Sequence, residues 1–361
     1  MKKTSTKPDP APIRIGIIGL GRAGFGMQTQ ELLARKDKYE IVAGCDIDAK
    51  HLKRFAAAAP GAKTYRQAAD LIADPNVDMV SVATRTPSHV DLSIDALKAG
   101  KLVMCEKPIA VDFASAKKLW TVARRRPGKL FIRQNRRFEA AFNDIEEIVR
   151  SGILGDVYEI KLRRHSYSRR NDWQTVIAEG GGQLLNWGPH IVDHALQLLG
   201  SPLASITSDL KRVAAVGDAE DHVHLLLRGK NGRHVEIEIS GGVAIAEPVY
   251  WIAGTKGTLV SRNEKTIELK YLDPAKKLPA RRVTLALMDG FGAPDKLEWK
   301  EETRDVRKDI DTTHIWDNVF DHIRNGAPLR VKLEEAMEVM RVLTLARDAA
   351  AAKKQRRGVG G

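Results

Sequence analysis

The stretch from Ile13 to Gly26 restricts the fold of this 361-residue chain more than any other. It opens as an apolar, β-branched strand and breaks at Gly19. Gly19, Gly21 and Gly24 then fall at G-x-G-x-x-G spacing, ahead of a helical run expected over Met27–Arg35. Glycines so placed permit a sharp turn, close approach of backbone to a pyrophosphate, and tight packing of helix on strand. The helix start adds unpaired N–H groups and a positive dipole end. Gly19, Gly21, Arg22, Ala23 and Gly24 are therefore the candidate phosphate-binding residues. The strand before and the helix after separate this pattern from an ordinary glycine turn.

A second strand, Tyr39–Cys45, ends at Asp46, which lies 22 residues past Gly24. That is close to the ~20 expected for the acid that binds the adenine ribose hydroxyls. Further strands are expected near Ala62–Tyr65 and at Val77–Ala83, Lys101–Cys105 and Lys129–Arg133. Helices are expected between them, ended by Pro60-Gly61, Asp74-Pro75, Gly100 and Pro127-Gly128. Alternation at this pace argues a parallel, doubly wound sheet over residues 13–134. Its ligands belong outside the carboxyl ends of the strands, where Gly19, Asp46, Thr84 and Lys107 converge.

Character changes after about residue 135. Residues 166–179 are polar and aromatic without period, and Gly180-Gly181-Gly182 introduces a helix over Leu184–Leu199. From Ile206 to Val260 residues alternate apolar and polar, and Gly229-Lys230-Asn231-Gly232 has hairpin-turn composition. These signals predict a second, α+β domain over 135–350, with an open, mainly antiparallel sheet. The reading leaves 273–311 undetermined and expects closing helices at Ile315–Arg324 and Leu333–Ala350. Residues 1–12 read as a disordered lead and 351–361 as a flexible basic tail.

The formal charge of +13 raises nucleic acid as a partner, but the lysines and arginines are dispersed or terminal. No aromatic residues interleave with them as a stacking platform, so solvated faces explain the excess. Two cysteines, both in apparent core strands, make no disulfide framework and suggest a reducing, cytoplasmic setting. No apolar run approaches the ~20 residues of a membrane span.

The chain resembles the Gfo/Idh/MocA family of nicotinamide-dependent oxidoreductases from about Ile13 to Ala350. The resemblance rests on the glycine loop, Ala96–Lys101 with Cys105-Glu106-Lys107-Pro108, and Gly180–His190. Gly254–Gly257 and Asn325-Gly326 also fit. It implies an enzyme with NAD lying between the two domains, acting on a hydroxyl carbon of a sugar, sugar acid or cyclitol. It also implies a homodimer or homotetramer joined through the open second sheet. By position, Lys107 matches the family lysine that contacts the reacting hydroxyl, and His190 the histidine beside it. Asn186 falls where many members carry aspartate. Thr84, His89 and Glu106 fall where the family contacts the cofactor.

On that basis Lys107 is expected to orient the oxygen, His190 to relay the proton, and Asn186 to hydrogen-bond one of them. A free histidine near ~6.5 suits that task, whereas a lysine does so only if its pKa falls toward ~7–8. The Asp46 carboxylate opposes a 2′-phosphate, so NAD is expected over NADP unless Arg22 or Arg66 reaches the ribose. Arg137, just past the sixth strand, and Trp173, in the polar loop, are candidate substrate contacts. His190 and His194 stand four residues apart but lack a third ligand, so no metal site is expected. Two other activities fit the same scaffold: transient oxidation by a retained NAD that cleaves a glycosidic bond, and non-catalytic nicotinamide sensing. The presence of Lys107 disfavours the second.

Overall fold

A computed structural model describes residues 11–278, 280, 282–283 and 296–358. The first part of the chain runs β1 (Ile13–Ile18), α1 (Gln30–Leu33), β2 (Tyr39–Cys45), α2 (Ala49–Ala58), β3 (Lys63–Tyr65) and α3 (Ala68–Ala73). It continues with β4 (Met79–Val82), α4 (His89–Lys98), β5 (Leu102–Glu106), α5 (Phe113–Ala123) and β6 (Leu130–Arg133). The six strands form one parallel sheet in the order β3-β2-β1-β4-β5-β6. This is the doubly wound order, with its crevice between β1 and β4, where the strand order reverses. Central β4 is buried at every residue, as a sheet covered on both faces requires, and the edge strand β6 is buried throughout as well. Asp48 and Asp112 cap α2 and α5 by accepting from the N–H groups of Lys50 and Ser115.

The helix after the glycines differs from expectation. A π-helical turn occupies Gly24–Thr29, and the α-helical part that follows is only Gln30–Leu33. The Gln28 N–H donates to the Ala23 carbonyl, five residues back, at 2.9 Å. Such π turns are rare and tend to mark functional sites. This one leaves Gln28 and Thr29 wholly buried.

The chain continues through α6 (Ala140–Arg150), β7 (Val157–His165), α7 (Gln183–Asn186) and α8 (Gly188–Leu199). Then follow β8 (Leu203–Lys211), β9 (His222–Gly229), β10 (His234–Ser240), β11 (Tyr250–Gly254), β12 (Gly257–Ser261), β13 (Thr266–Leu272) and β14 (Trp299–Asp305). They form a second sheet in the order β14-β13-β12-β11-β7-β10-β9-β8. Every pairing is antiparallel except that of β7 with β10, as the alternating pattern predicts. The nearly wholly buried α8 packs against β7 and β10.

Two closing helices follow, α9 (His314–Asn325) and α10 (Leu333–Gly358). α9 returns to the first sheet: Trp316 is fully buried, and its carbonyl accepts from the Tyr39 hydroxyl at 2.8 Å. Asp317 pairs with Arg35 at 2.9 Å and Lys38 at 2.6 Å. α9 thus packs on the first sheet although it follows the second in sequence. The expected flexible tail is helical as far as Gly358, because α10 continues one hydrogen-bonded ladder past Ala350. Residues 1–10 of the expected lead, 359–361 of the tail and part of 273–311 lie outside the described residues. Among the described residues no helix is long and apolar enough to cross a membrane.

Candidate functional site

At the end of β1, Gly19 adopts a φ of +90°, and a Cβ there would meet the backbone of Ala83 and Thr84 at 2.8 Å. Gly24 is tighter still, with its would-be Cβ 1.8 Å from the Gly19 carbonyl oxygen. Gly21 faces open space, with nothing within 4 Å. Among the described residues nothing accepts from the N–H groups of Arg22 or Ala23. Two glycines thus close the loop on itself, while the third leaves a bare backbone with free donors. That arrangement fits a pyrophosphate.

The three glycines are expected to respond differently to a methyl group. Gly24→Ala must displace the loop and lose both thermal stability and coenzyme affinity. Gly21→Ala is expected to melt like the parent while binding coenzyme about tenfold or more weakly, a loss of about 1.4 kcal/mol or more. Thermal melts alongside coenzyme titration by protein fluorescence check the contrast.

Asp46 stands at the end of β2, as expected. Its carboxylate accepts from the N–H groups of Leu20 at 2.7 Å and Asp48 at 2.9 Å, and lies 3.1 Å from His51 Nδ1. A carboxylate has about four acceptor positions, so one remains for a ligand hydroxyl. Arg66 donates to the Ile47 carbonyl at 2.8 Å, and Arg54 to that of Leu20 at 2.9 Å. Thr84 bonds its hydroxyl to Ser88 at 2.7 Å and borders the crevice after β4.

Two of the expected cofactor contacts, His89 and Glu106, make bonds inside the protein. Both ring nitrogens of the buried His89 face carbonyl oxygens, that of Pro108 at 2.8 Å and that of Thr84 at 3.0 Å. Burial lowers its pKa, against the pull of those two carbonyls. His89 braces the loop after β5 against the end of β4 and presents nothing to the crevice. Glu106 accepts from Gln28 at 2.9 Å, Arg133 at 2.8 Å and the Lys107 N–H at 3.1 Å. Burial works against its charge, yet Arg133 and Lys107 hold the carboxyl below its usual range.

Lys107 follows, half-buried, and donates from Nζ to the Asn186 backbone carbonyl at 3.0 Å. Its amine is pushed down to about 8, first by burial and then by the cations of Arg133, Arg136 and Arg22, against the pull of Glu106. Gln134, just past β6, donates to the Pro189 carbonyl and so anchors the start of α8 beside the first sheet. His190, on that first turn, is buried, and its Nδ1 has no hydrogen-bond partner. Burial, then Lys107 and Arg136, push its pKa well below the ordinary histidine value. Burial and the neighbouring cations thus favour the uncharged imidazole of His190, where the sequence alone led to the expectation of an ordinary histidine. Asn186 meets Lys107 through its main chain, while its side-chain oxygen accepts from Gln174 at 3.2 Å.

Beside Asn186 lies a polar cavity of ≈ 140 Å³, lined by Ser166, Ser168, Arg170, Gln174, Gln183 and Trp187 among others. Ligand pockets run to about 300 Å³ or more, so this space suits part of a small polar molecule. Trp173 does not line it. The short turn Trp173–Thr175 points Gln174 and Thr175 inward, while the Trp173 ring packs under Arg85 at 5.6 Å. Arg137, the other candidate substrate contact, lies away from this cavity. It is buried and bonded to Asp193 at 2.8 Å, Glu335 at 2.9 Å and the Arg330 carbonyl at 3.1 Å. Its guanidinium is engaged by these carboxylates and the carbonyl in the protein interior.

His194 bonds the Arg136 carbonyl at 3.0 Å and the Tyr250 hydroxyl at 3.2 Å, with its ring stacked on Phe142. Among the described residues no group of three or more potential ligands is placed to hold a metal ion. Sequence reasoning missed Gln28, Glu31, Arg133 and Trp187. The one signal was at Arg133, a charged side chain closing the apolar run Leu130–Ile132.

Comparison with known proteins agrees with this fold. The profile described as "Oxidoreductase family, NAD-binding Rossmann fold" matches residues 13–134, and the "GFO/IDH/MocA C-terminal domain" profile matches 142–260. An uncharacterized oxidoreductase of Schizosaccharomyces pombe is 32% identical over 56% of this chain, a match that spans only 55% of that protein. The scyllo-inositol 2-dehydrogenase (NADP(+)) IolW of Bacillus subtilis is 24% identical over 95% of each chain. The crystal structure of an NAD-binding protein from Listeria innocua superimposes with a TM-score of 0.79 at 26% identity, covering 95% of this chain and 99% of that one. With a parallel coenzyme-binding sheet, an open second sheet and both family profiles in sequence order, this chain belongs to the Gfo/Idh/MocA family of oxidoreductases.

Proposed function

We propose that the protein transfers a hydride between NAD(H) and a hydroxyl carbon, or the matching ketone, of a sugar, sugar acid or cyclitol. The observation that carries this reading is Lys107: a half-buried amine brought to about 8, at the carboxyl end of the coenzyme-binding sheet and electrostatically coupled to a neutral His190. The name of the B. subtilis relative, a cyclitol dehydrogenase, supports the substrate class. A bound nicotinamide supplies the hydride acceptor or donor. Lys107 holds the reacting oxygen as a hydrogen-bond donor and takes or returns its proton. The free Nδ1 of His190 offers that oxygen a second, uncharged partner. Asn186 fixes the amine through its carbonyl, and the polar cavity beside it receives the remaining hydroxyls.

Following absorbance at the nicotinamide band with a panel of sugars, sugar acids and cyclitols tests the proposal. Turnover with a member of the panel supports it, and silence across all three classes sinks it.

NAD is the proposed coenzyme, because the Asp46 carboxylate stands at the end of β2, where the ribose is expected, with one acceptor position open. NAD is expected to bind at least about tenfold more tightly than NADP, since like-charge contact exceeds the 1.4 kcal/mol that tenfold represents. Asp46→Ser is expected to narrow that ratio, and equal affinities in the parent protein would overturn the assignment.

A further inference from the structure

We propose that Glu31 and Arg133 are positioning residues for the proton step assigned above, joined in a buried hydrogen-bonded chain that fixes Glu106, and through it Lys107, and ties them to α9. The inference rests on the reading of Lys107 as the proton-handling group.

Arg133 ends β6 with its side chain 2% exposed. It donates to both oxygens of Glu31, at 2.7 and 2.6 Å, and to Glu106 at 2.8 Å. On the far side the Trp316 indole of α9 donates to Glu31 at 2.7 Å. On the near side Gln28, turned inward by the π-helical turn, donates to Glu106 at 2.9 Å and accepts from Ser81. The second Glu106 oxygen accepts from the Lys107 N–H at 3.1 Å. Every link is a charge-assisted or fully buried bond, so the position of one member constrains the next.

The charges in this chain do not cancel by themselves. Glu31 and Glu106 contribute two negative charges and Arg133 one positive, so the cluster is neutral only while Lys107 is protonated. Arg133 acts to acidify the amine, and Glu106 acts against it. Glu31 enters by offsetting Arg133, although no contact joins it to the lysine. A network that merely stabilised the fold would alter melting and leave the acidity of Lys107 where it was.

Glu31→Gln removes one negative charge and keeps an acceptor oxygen in place. It is expected to lower the Lys107 titration midpoint by about half a unit, the scale of a unit charge acting across a partly buried distance. Glu31→Asp keeps the charge and is expected to titrate like the parent. The measurement is competitive acetylation of the full, coenzyme-free chain by acetic anhydride from about pH 6 to 10, a window spanning the shifted and ordinary lysine values. Mass spectrometry of the Lys107 peptide reads the extent of reaction.

A lowered midpoint in Glu31→Gln with an unmoved one in Glu31→Asp supports the proposal. An unmoved midpoint in Glu31→Gln, or an equal shift in both variants, overturns it. The labelling needs neither coenzyme nor substrate, so it is separate from the test of the reaction itself. If Lys107→Met abolishes turnover while Glu31→Gln leaves the midpoint alone, the network idea fails and the reading of Lys107 stands. If Lys107→Met turns over normally, the reading fails whatever the labelling shows.

Discussion

Lys107→Met is expected to lower kcat by about 10²–10⁴-fold, the contribution of a positioned acid–base group, while coenzyme affinity changes only a few-fold. Methionine keeps an unbranched stem as far as Cε and lacks only the terminal amine, so the loss isolates that group. Lys107→Arg is the sharper control. A guanidinium still donates to the reacting oxygen but does not give up its proton in the working range, so arginine is expected to fail nearly as badly.

The pH profile carries the same assignment with a definite sign. Alcohol oxidation needs the free amine. With the amine at about 8, roughly one lysine in ten is free at pH 7, and the rate rises with pH until it levels above the midpoint. Ketone reduction needs the ammonium and runs the opposite way, falling as pH rises through the same midpoint. His190 adds no second limb, because burial keeps it neutral across that range. A limb near ~6.5 that survived in Lys107→Met would return the proton to the histidine.

Most of what positions Lys107 was legible in the sequence, for local reasons. The glycine spacing, the punctuated βα alternation and the strand ends at Asp46 and Glu106 are properties of short windows, and each strand end falls on the crevice by topology alone. The reading lost accuracy where distant segments decide. Trp316 reads as the apolar face of a closing helix, and no local pattern says that the face lies against Tyr39 of the first sheet, with ring centroids 5.5 Å apart. Gln28 reads as a polar helix residue, and only the extra residue of the π turn rotates it inward. His89 and Arg137 carry side chains typical of sites, yet His89 reaches the Pro108 carbonyl 19 residues on, and the partners of the Arg137 guanidinium lie 56 or more residues away. β14, Trp-Lys-Glu-Glu-Thr-Arg-Asp, has no apolar alternation and is a strand because its neighbour β13 offers an open edge. Side-chain chemistry nominated candidates, and long-range packing chose among them.

Arg137→Met is expected to cost about 3–5 kcal/mol of folding stability at neutral pH, because it strands a buried carboxylate. Asp193 and Arg137 have side chains 1% and 4% exposed, and their paired oxygens and nitrogens have no water to fall back on. In the parent, burial raises the Asp193 pKa and the guanidinium works against that rise. Without the guanidinium the carboxyl takes up a proton in the native state at pH values where the unfolded chain is already ionised. The native state then binds the extra proton, so the variant loses stability as pH climbs through that window. Urea denaturation is therefore expected to show a smaller deficit near pH 5 than near pH 8, with both values bracketing the range in which a desolvated carboxyl titrates. Arg137→Met combined with Asp193→Asn is expected to recover much of the loss, since no buried charge is left unpaired. The seam matters for the reaction because Asp193 lies on the same helix as His190, one turn further along, and Glu335 begins the helix that packs behind it. If Arg137→Met kept the parent's stability and instead raised KM for an anionic substrate, the residue would belong to the substrate site after all, and the ion pair with Asp193 would have to open in the working enzyme.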